Sequence, residues 1–228
     1  MNIFYKIVNF IDFILSPEKC LVCNKGNNII CKECINNIPK PENDLPDNIY
    51  ALYEYRHPII KKLLTDAKYR KKFGNLKGFG PYLASSLLDI INEYTELTYY
   101  KRILIIPVPI SKKRYKERGF NQAKIIAQSI IQNIKENNSI QNIYLADNIV
   151  KKIKDTTPQA SIHNKYQRLK SPKGTFSTNT KNENNINLEN CLCIIIDDIS
   201  TTGGTINEMH RILKKSGAEK VIGLTIAH

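Results

Sequence analysis

Residues 194–205 read Ile-Ile-Ile-Asp-Asp-Ile-Ser-Thr-Thr-Gly-Gly-Thr. An apolar run of buried-strand type delivers two adjacent carboxylates, Asp197 and Asp198. A short loop of Thr201, Thr202, Gly203, Gly204 and Thr205 then opens a helix. Glycines let the backbone approach a phosphate closely, while the amides of a helix start and threonine hydroxyls donate to it. Adjacent carboxylates can accept hydrogen bonds from a ribose diol or share a metal ion. No Gly-Lys-Ser/Thr follows, so a Walker loop is excluded, and the dinucleotide-binding fingerprint is absent. A plain tight turn with Asp198 as helix cap would explain neither the doubled acid nor the tandem threonines.

A second constellation is Cys20-x2-Cys23 and Cys31-x2-Cys34, seven residues apart. Each turn can aim two thiolates at one point, and two turns complete a tetrahedron around zinc. Four thiolates leave no open position, so the ion would be structural. Two disulfides or an iron site are the alternatives; the lack of a secretory signal disfavours the disulfides. Cys191 and Cys193 lie in an apolar run and read as core.

The elements that must position these residues alternate. A strand is expected over 50–55, a helix beginning at Ile59, another through Leu83–Ile91, and a strand over 103–108. A helix follows over 121–135, then a strand within 143–153, a strand over 191–196, a helix over 205–215 and a strand over 221–226. This order implies α/β architecture, a parallel sheet with helices on both faces, and ligands bound beyond the carboxyl ends of its strands. Residues 38–48 read as a linker, 154–174 as a long polar stretch and 177–190 as an Asn-rich loop. The expected division is 1–48, an amphipathic helix and zinc ribbon; 49–100, connecting elements that could cover a site; and 101–228, the core. The stripe Ile3, Ile7, Ile11, Ile14 suits a helix packed on the protein or lying on a membrane surface.

The 228 residues carry 34 cations against 21 acids, a formal net charge of +13. That favours polyanionic partners such as nucleic acid, phosphates or a membrane surface. Lysine enrichment can also reflect an AT-rich genome, so the seven arginines are more telling by position. No apolar stretch is long enough to span a bilayer, and a cytoplasmic location is expected.

The 194–205 stretch resembles the PRPP-binding motif of type I phosphoribosyltransferases (PRPP, phosphoribosyl pyrophosphate), with Ser200 where an aliphatic residue is usual. Ile106-Pro107-Val108-Pro109, Arg118-Gly119-Phe120-Asn121-Gln122, the four cysteines and Lys68-Tyr69 narrow the resemblance to the ComF family. It implies a type I phosphoribosyltransferase-like core bearing a four-cysteine zinc ribbon, PRPP bound with Mg²⁺, and service in natural competence and DNA uptake. Asp197 and Asp198 would then be catalytic and Thr201–Thr205 would hold the 5′-phosphate. Lys112, Arg114 and Arg118 would meet pyrophosphate from a basic loop, with Gln159 and Arg168 on a flexible loop.

What the site would do splits into three readings. A PRPP-binding module would handle incoming single-stranded DNA, alongside other competence proteins, through Lys68, Arg70, Lys71 and Lys72, which alternate with Tyr69 and Phe73 as cations and rings do in single-strand grooves. A solvated loop with its rings packed inward is the plainer account of that patch. An active Mg²⁺-dependent transferase would instead pass ribose 5-phosphate from PRPP to a nitrogen nucleophile, although the chain shows few parts that would hold an acceptor and no histidine placed as a base. A purely structural zinc adaptor leaves the acid pair unused.

Overall fold

The computed structural model describes residues 19–26, 28–42, 45–96, 98–137, 140–154, 173–178 and 187–228. The stripe over 1–15 and the loop residues Gln159 and Arg168 lie outside them.

In chain order the elements are α1 (Lys32–Asn36), β1 (Ile49–Tyr53), α2 (Pro58–Arg70), α3 (Gly74–Lys77), α4 (Gly80–Thr95), β2 (Arg102–Pro107) and α5 (Lys112–Arg118). They continue with α6 (Gln122–Glu136), β3 (Ile143–Leu145), β4 (Val150–Lys152), β5 (Phe176–Thr178), β6 (Cys191–Ile199), α7 (Gly204–Lys215) and β7 (Lys220–Ala227). Five strands form one sheet in the order β1-β7-β6-β2-β3, and every pairing in it is parallel. The expected α/β sheet is therefore present.

Strand periodicity divides the core. Leu192, Ile194 and Ile196 of β6, with Ile222, Leu224 and Ile226 of β7, join the cluster that also holds buried residues of α2, α3, α4 and α6. Cys191, Cys193 and Ile195 face the other way, toward Ile206, Met209 and Leu213 of α7 and toward Val150 and Phe176 of the β4–β5 hairpin. A strand covered on both faces must be apolar throughout, which is why β6 shows no alternation. Gly223 lets α7 approach closely: a Cβ there would lie 2.5 Å from Ile206 Cγ2.

Four expectations are revised. The strand expected within 143–153 is two: β3 extends the main sheet, while β4 leaves it to pair antiparallel with β5. Residues 177 and 178, expected in the Asn-rich loop, finish β5. The basic segment is helix α5 rather than a loop. Ser111 Oγ accepts the Arg114 N–H at 3.3 Å to start it, and Gly119, at φ 83°, ends it in the left-handed conformation that glycine adopts without strain. Finally, β6 runs on to Ile199, so the acid pair lies within the strand and Asp197 is in register with Thr225.

The cysteine module is docked onto the sheet's first face. Ile29, Ile30, Ile35 and Ile38 are buried in the same cluster as α3 and α4, and the Tyr82 hydroxyl donates to Ile30 O at 2.9 Å. All three expected segments thus contribute to one core. Among the described residues, no helix is long and apolar enough to cross a membrane.

Candidate functional site

Because side chains alternate along β6, Asp198 shares the face of Ile194 and Ile196, on which α2 lies. Asp197 starts from the opposite face, yet its carboxyl stays close enough to Asp198 and Lys68 for both charges to act on it. Asp197 Oδ1 accepts the Asp198 N–H at 2.9 Å. Asp198 is buried, and its Oδ2 meets Lys68 Nζ at 2.6 Å. Burial disfavours the Lys68 ammonium, but Asp198 beside it more than compensates and holds the lysine above its ordinary value. Burial, reinforced by the Asp198 charge, pushes the Asp197 carboxyl up.

The sequence groups Lys68 with a nucleic-acid patch, yet the side chain faces inward. The signal for this lies in the helical period: Ile60, Leu63, Leu64 and Ala67 are the buried stripe of α2, and position 68 follows Leu64 by four. The rest of that patch divides. Asp66 holds Arg70 at 3.3 Å and Lys72 at 3.7 Å, while Lys71 forms the left-handed cap of α2. Phe73 is buried edge-on against Phe120, ring centroids 4.3 Å apart. Tyr69 is the ring left exposed there, at 73%.

Beyond Asp198 the chain turns into the Thr/Gly loop. Ser200 N–H donates to Ala227 O at 2.9 Å, and Ser200 O lies 2.8 Å from His228 Nδ1. These bonds fix the loop's origin beside the end of β7. Gly203 then takes φ 72°, and a Cβ on it would lie 2.8 Å from Ile49 Cδ1. Gly203 has no side chain to cap α7, so the helix start keeps donors for a ligand. Ser200 Oγ and Thr202 Oγ1 are buried with no hydrogen-bond partner among the described residues. An orphaned buried hydroxyl costs free energy that a bound oxyanion would recover. Thr201 is exposed at the loop tip and Thr205 half-buried in the first turn of α7.

Helix α5 follows β2 at the same edge of the sheet. Asn121 Nδ2 donates to Val108 O at 3.0 Å, closing the segment between them. Arg118 is close enough to Lys68 for its charge to oppose that ammonium. Arg114 and Arg118 are half-buried and Lys112 is exposed; none of the three has a carboxylate partner among the described residues. Acid pair, Thr/Gly loop and basic helix therefore meet at the carboxyl edge, where the parallel sheet places a ligand.

A tie that no sequence motif announces joins this edge to the hairpin. Glu208, buried in α7, accepts from Arg211 Nε and Nη2 at 2.8 Å each and from the Gly174 N–H at 2.7 Å. Ser216 Oγ meets Thr178 Oγ1 at 2.9 Å further along, so β5 runs beside α7 from near the site outward. Only the Glu208–Arg211 spacing of three is visible in sequence.

The four N-terminal sulfurs all lie within 4.8 Å of one another, and the Cys23–Cys31 pair is 3.6 Å apart. Zinc–thiolate bonds of about 2.3 Å place tetrahedral sulfurs roughly 3.8 Å apart, so the donor set and spacing fit zinc. The cysteines are free thiols. The Val22 and Cys31 N–H groups each donate to Cys20 Sγ at 3.4 Å. Burial raises the Cys20 thiol, but hydrogen bonds from the Cys23, Cys31 and Val22 backbone outweigh it and bring it down to about 6.

A parallel sheet with a phosphate loop and acid pair at this edge defines a phosphoribosyltransferase-type domain, and residues 116–228 match the phosphoribosyl transferase domain family. The chain is 35% identical over 118 residues to Competence protein F of Haemophilus influenzae, covering 51% of this chain and 46% of that protein. It is 25% identical over 211 residues to Competence protein ComFC of Bacillus subtilis, covering 91% and 76% of the two chains. With Competence protein ComFC of Streptococcus pneumoniae it shares 28% over 171 residues, 75% and 64% of each. The chain belongs to the ComF family. The match spans about half the length of the Haemophilus protein.

Proposed function

We propose that this protein binds PRPP with Mg²⁺ at the carboxyl edge of its sheet and serves DNA uptake in the cytoplasm, handling incoming single-stranded DNA with other competence proteins. The observation that carries the reading is the pair of buried hydroxyls, Ser200 Oγ and Thr202 Oγ1, at the start of α7, which have no hydrogen-bond partner among the described residues. In this assignment Thr201–Thr205 and the first amides of α7 bind the 5′-phosphate. Asp197 and Asp198 orient the ribose hydroxyls, and Arg114, Arg118 and Lys112 meet the pyrophosphate. The carboxylates are hard oxygen donors, suited to Mg²⁺ held jointly with substrate phosphates; the ion would neutralise pyrophosphate charge. Zinc held by Cys20, Cys23, Cys31 and Cys34 would fasten the N-terminal module to α4.

For DNA, support comes from exposed Tyr69 and Tyr115 beside exposed Lys71, Lys112, Lys113 and Lys116. Rings that can stack on bases interspersed with cations suit a single strand of any sequence. Lys71→Glu with Lys72→Glu should flatten the salt dependence of single-strand binding by about one unit of slope for each phosphate no longer neutralised.

Phosphorus NMR of PRPP and Mg²⁺ with the protein tests the site. Broadened, persistent PRPP signals are expected, and none with Asp198→Asn. Pyrophosphate released only by wild type on adding a nucleobase mixture would instead establish transfer. Signals unperturbed by wild type would refute PRPP binding.

A further inference from the structure

The ion pair between Lys68 and Asp198 has a part in this site that the PRPP reading does not use. Lys68 Nζ lies 2.6 Å from Asp198 Oδ2, and the two side chains are 19% and 7% exposed. The lysine comes from α2, outside the residues that match the phosphoribosyl transferase family, so the acid pair is completed by the N-terminal half of the chain.

Resting on the assignment of the β6 edge to a sugar-diphosphate ligand, we propose that Lys68 is a specificity-determining residue: its ammonium occupies Asp198, so the acid pair excludes a free divalent cation and admits one carried by an anionic phosphorylated ligand. Asp198 freed of its ammonium, with Asp197 adjacent in the strand, would attract any divalent ion. With the ammonium seated on Asp198 Oδ2 and Arg118 acting on it from α5, an incoming bare cation meets a like charge at the oxygen it needs. A metal–diphosphate complex reverses the balance, because its phosphate oxygens offer Lys68 and Arg118 new partners as the metal reaches the carboxylates. No bond is made or broken; one ion pair is exchanged for two. A merely structural tie between α2 and β6 would affect melting without altering cation affinity.

Manganese binding, read by electron paramagnetic resonance on the full-length, zinc-loaded protein without PRPP, tests this. Lys68→Met should bind Mn²⁺ at least about tenfold more tightly than wild type, about 1.4 kcal/mol. The gain should vanish in Lys68→Met with Asp198→Asn, and Lys68→Arg, which keeps the charge, should behave as wild type. A Lys68→Met protein that melts as wild type does and shows unchanged Mn²⁺ affinity would overturn the proposal. So would a gain that survives Asp198→Asn. Should the methionine variant not fold, Lys68→Gln, which keeps a hydrogen-bond donor without the charge, is read by the same criteria. Failure of PRPP binding would show separately, in wild-type phosphorus spectra, and leaves the manganese result distinct.

Discussion

Three glycines separate the two costs of building a phosphate loop on a close-packed sheet. Gly119 has φ 83° and nothing within 4 Å of an added Cβ, so alanine there meets only the left-handed backbone penalty. That penalty is roughly 1–2 kcal/mol, offset by about 0.4–1 kcal/mol from a less flexible unfolded chain, leaving a net loss near 1 kcal/mol. Gly203 adds contact to strain: φ is 72°, and the new Cβ would lie 2.8 Å from Ile49 Cδ1 and 3.2 Å from Asn207 Nδ2. Ile49 Cδ1 ends a flexible side chain and can shift, so Gly203→Ala should cost about 2 kcal/mol in all. Gly223 carries no φ penalty, but its Cβ would lie 2.5 Å from Ile206 Cγ2. That methyl is held on a β-branched side chain in the first turn of α7, so overpacking of about 1–3 kcal/mol is expected. In a chain of this length each kcal/mol moves Tm by roughly 2–4 °C. Thermal and urea unfolding followed by far-UV circular dichroism, with zinc in excess, should therefore rank Gly119→Ala as mildest, with the other two clearly lower. Gly203→Ala should also weaken PRPP binding at least tenfold. A Gly223→Ala protein as stable as wild type, or a Gly119→Ala protein as unstable as Gly203→Ala, would refute the division into strain and contact.

Three further outcomes are expected. Cys23→Ser should lose its equivalent of zinc by elemental analysis and lower Tm, since a tetrathiolate contributes on the order of 10 kcal/mol to folding its segment; unchanged metal content would count against the site. Asp197 has its carboxyl pushed up by burial and by Asp198, from 3.8 to about 8, so the folded state keeps a proton that the unfolded chain releases, and stability falls as pH rises through that window. Asp197→Asn should accordingly become more stable relative to wild type between pH 4 and 8, and a difference independent of pH would exclude this cause. Glu208 is held below the usual carboxyl range chiefly by Arg211, with burial opposing. Its stabilising contribution is thus present above the ordinary value and lost as pH falls through the lowered one, so Glu208→Gln should cost about 1–3 kcal/mol at pH 7, shrinking toward pH 3. Equal losses at both pH values would point to packing instead.

What could be read from sequence, and what could not, follows the distance over which each feature is encoded. The acid pair, the Thr/Gly loop and the two Cys-x2-Cys turns are local patterns, complete within a dozen residues or so, and the alternation of strands and helices is a local periodicity. The parallel sheet was legible for that reason. The course of 143–153 was not, because β3 and β4 pair with different partners, and short apolar runs carry no mark of which sheet they join. Helix α5 was hidden by composition: seven residues with five cations look like a solvated loop, and only Ser111 before them and Gly119 after them signal a capped turn of helix.

Lys68 exposes the sharper limit. Its neighbours Tyr69, Arg70, Lys71 and Lys72 make a basic, aromatic string that invites one collective role, but a helix separates adjacent residues by about 100° and sends them to different surfaces. Tyr69 faces solvent, Arg70 and Lys72 serve Asp66, and Lys68 crosses to Asp198. The burial stripe of α2 places Lys68 inward, yet names no partner; that depends on β6 lying under α2 with the even-numbered acid turned toward it. A site whose phosphate loop is continuous in sequence thus acquires a largely buried cation from a segment that no motif for that loop contains. The consequence is testable by dissection of charge rather than of chain: the same lysine should leave single-strand binding unchanged when neutralised while altering cation affinity, and a loss of both together would return it to the basic patch its neighbours suggest.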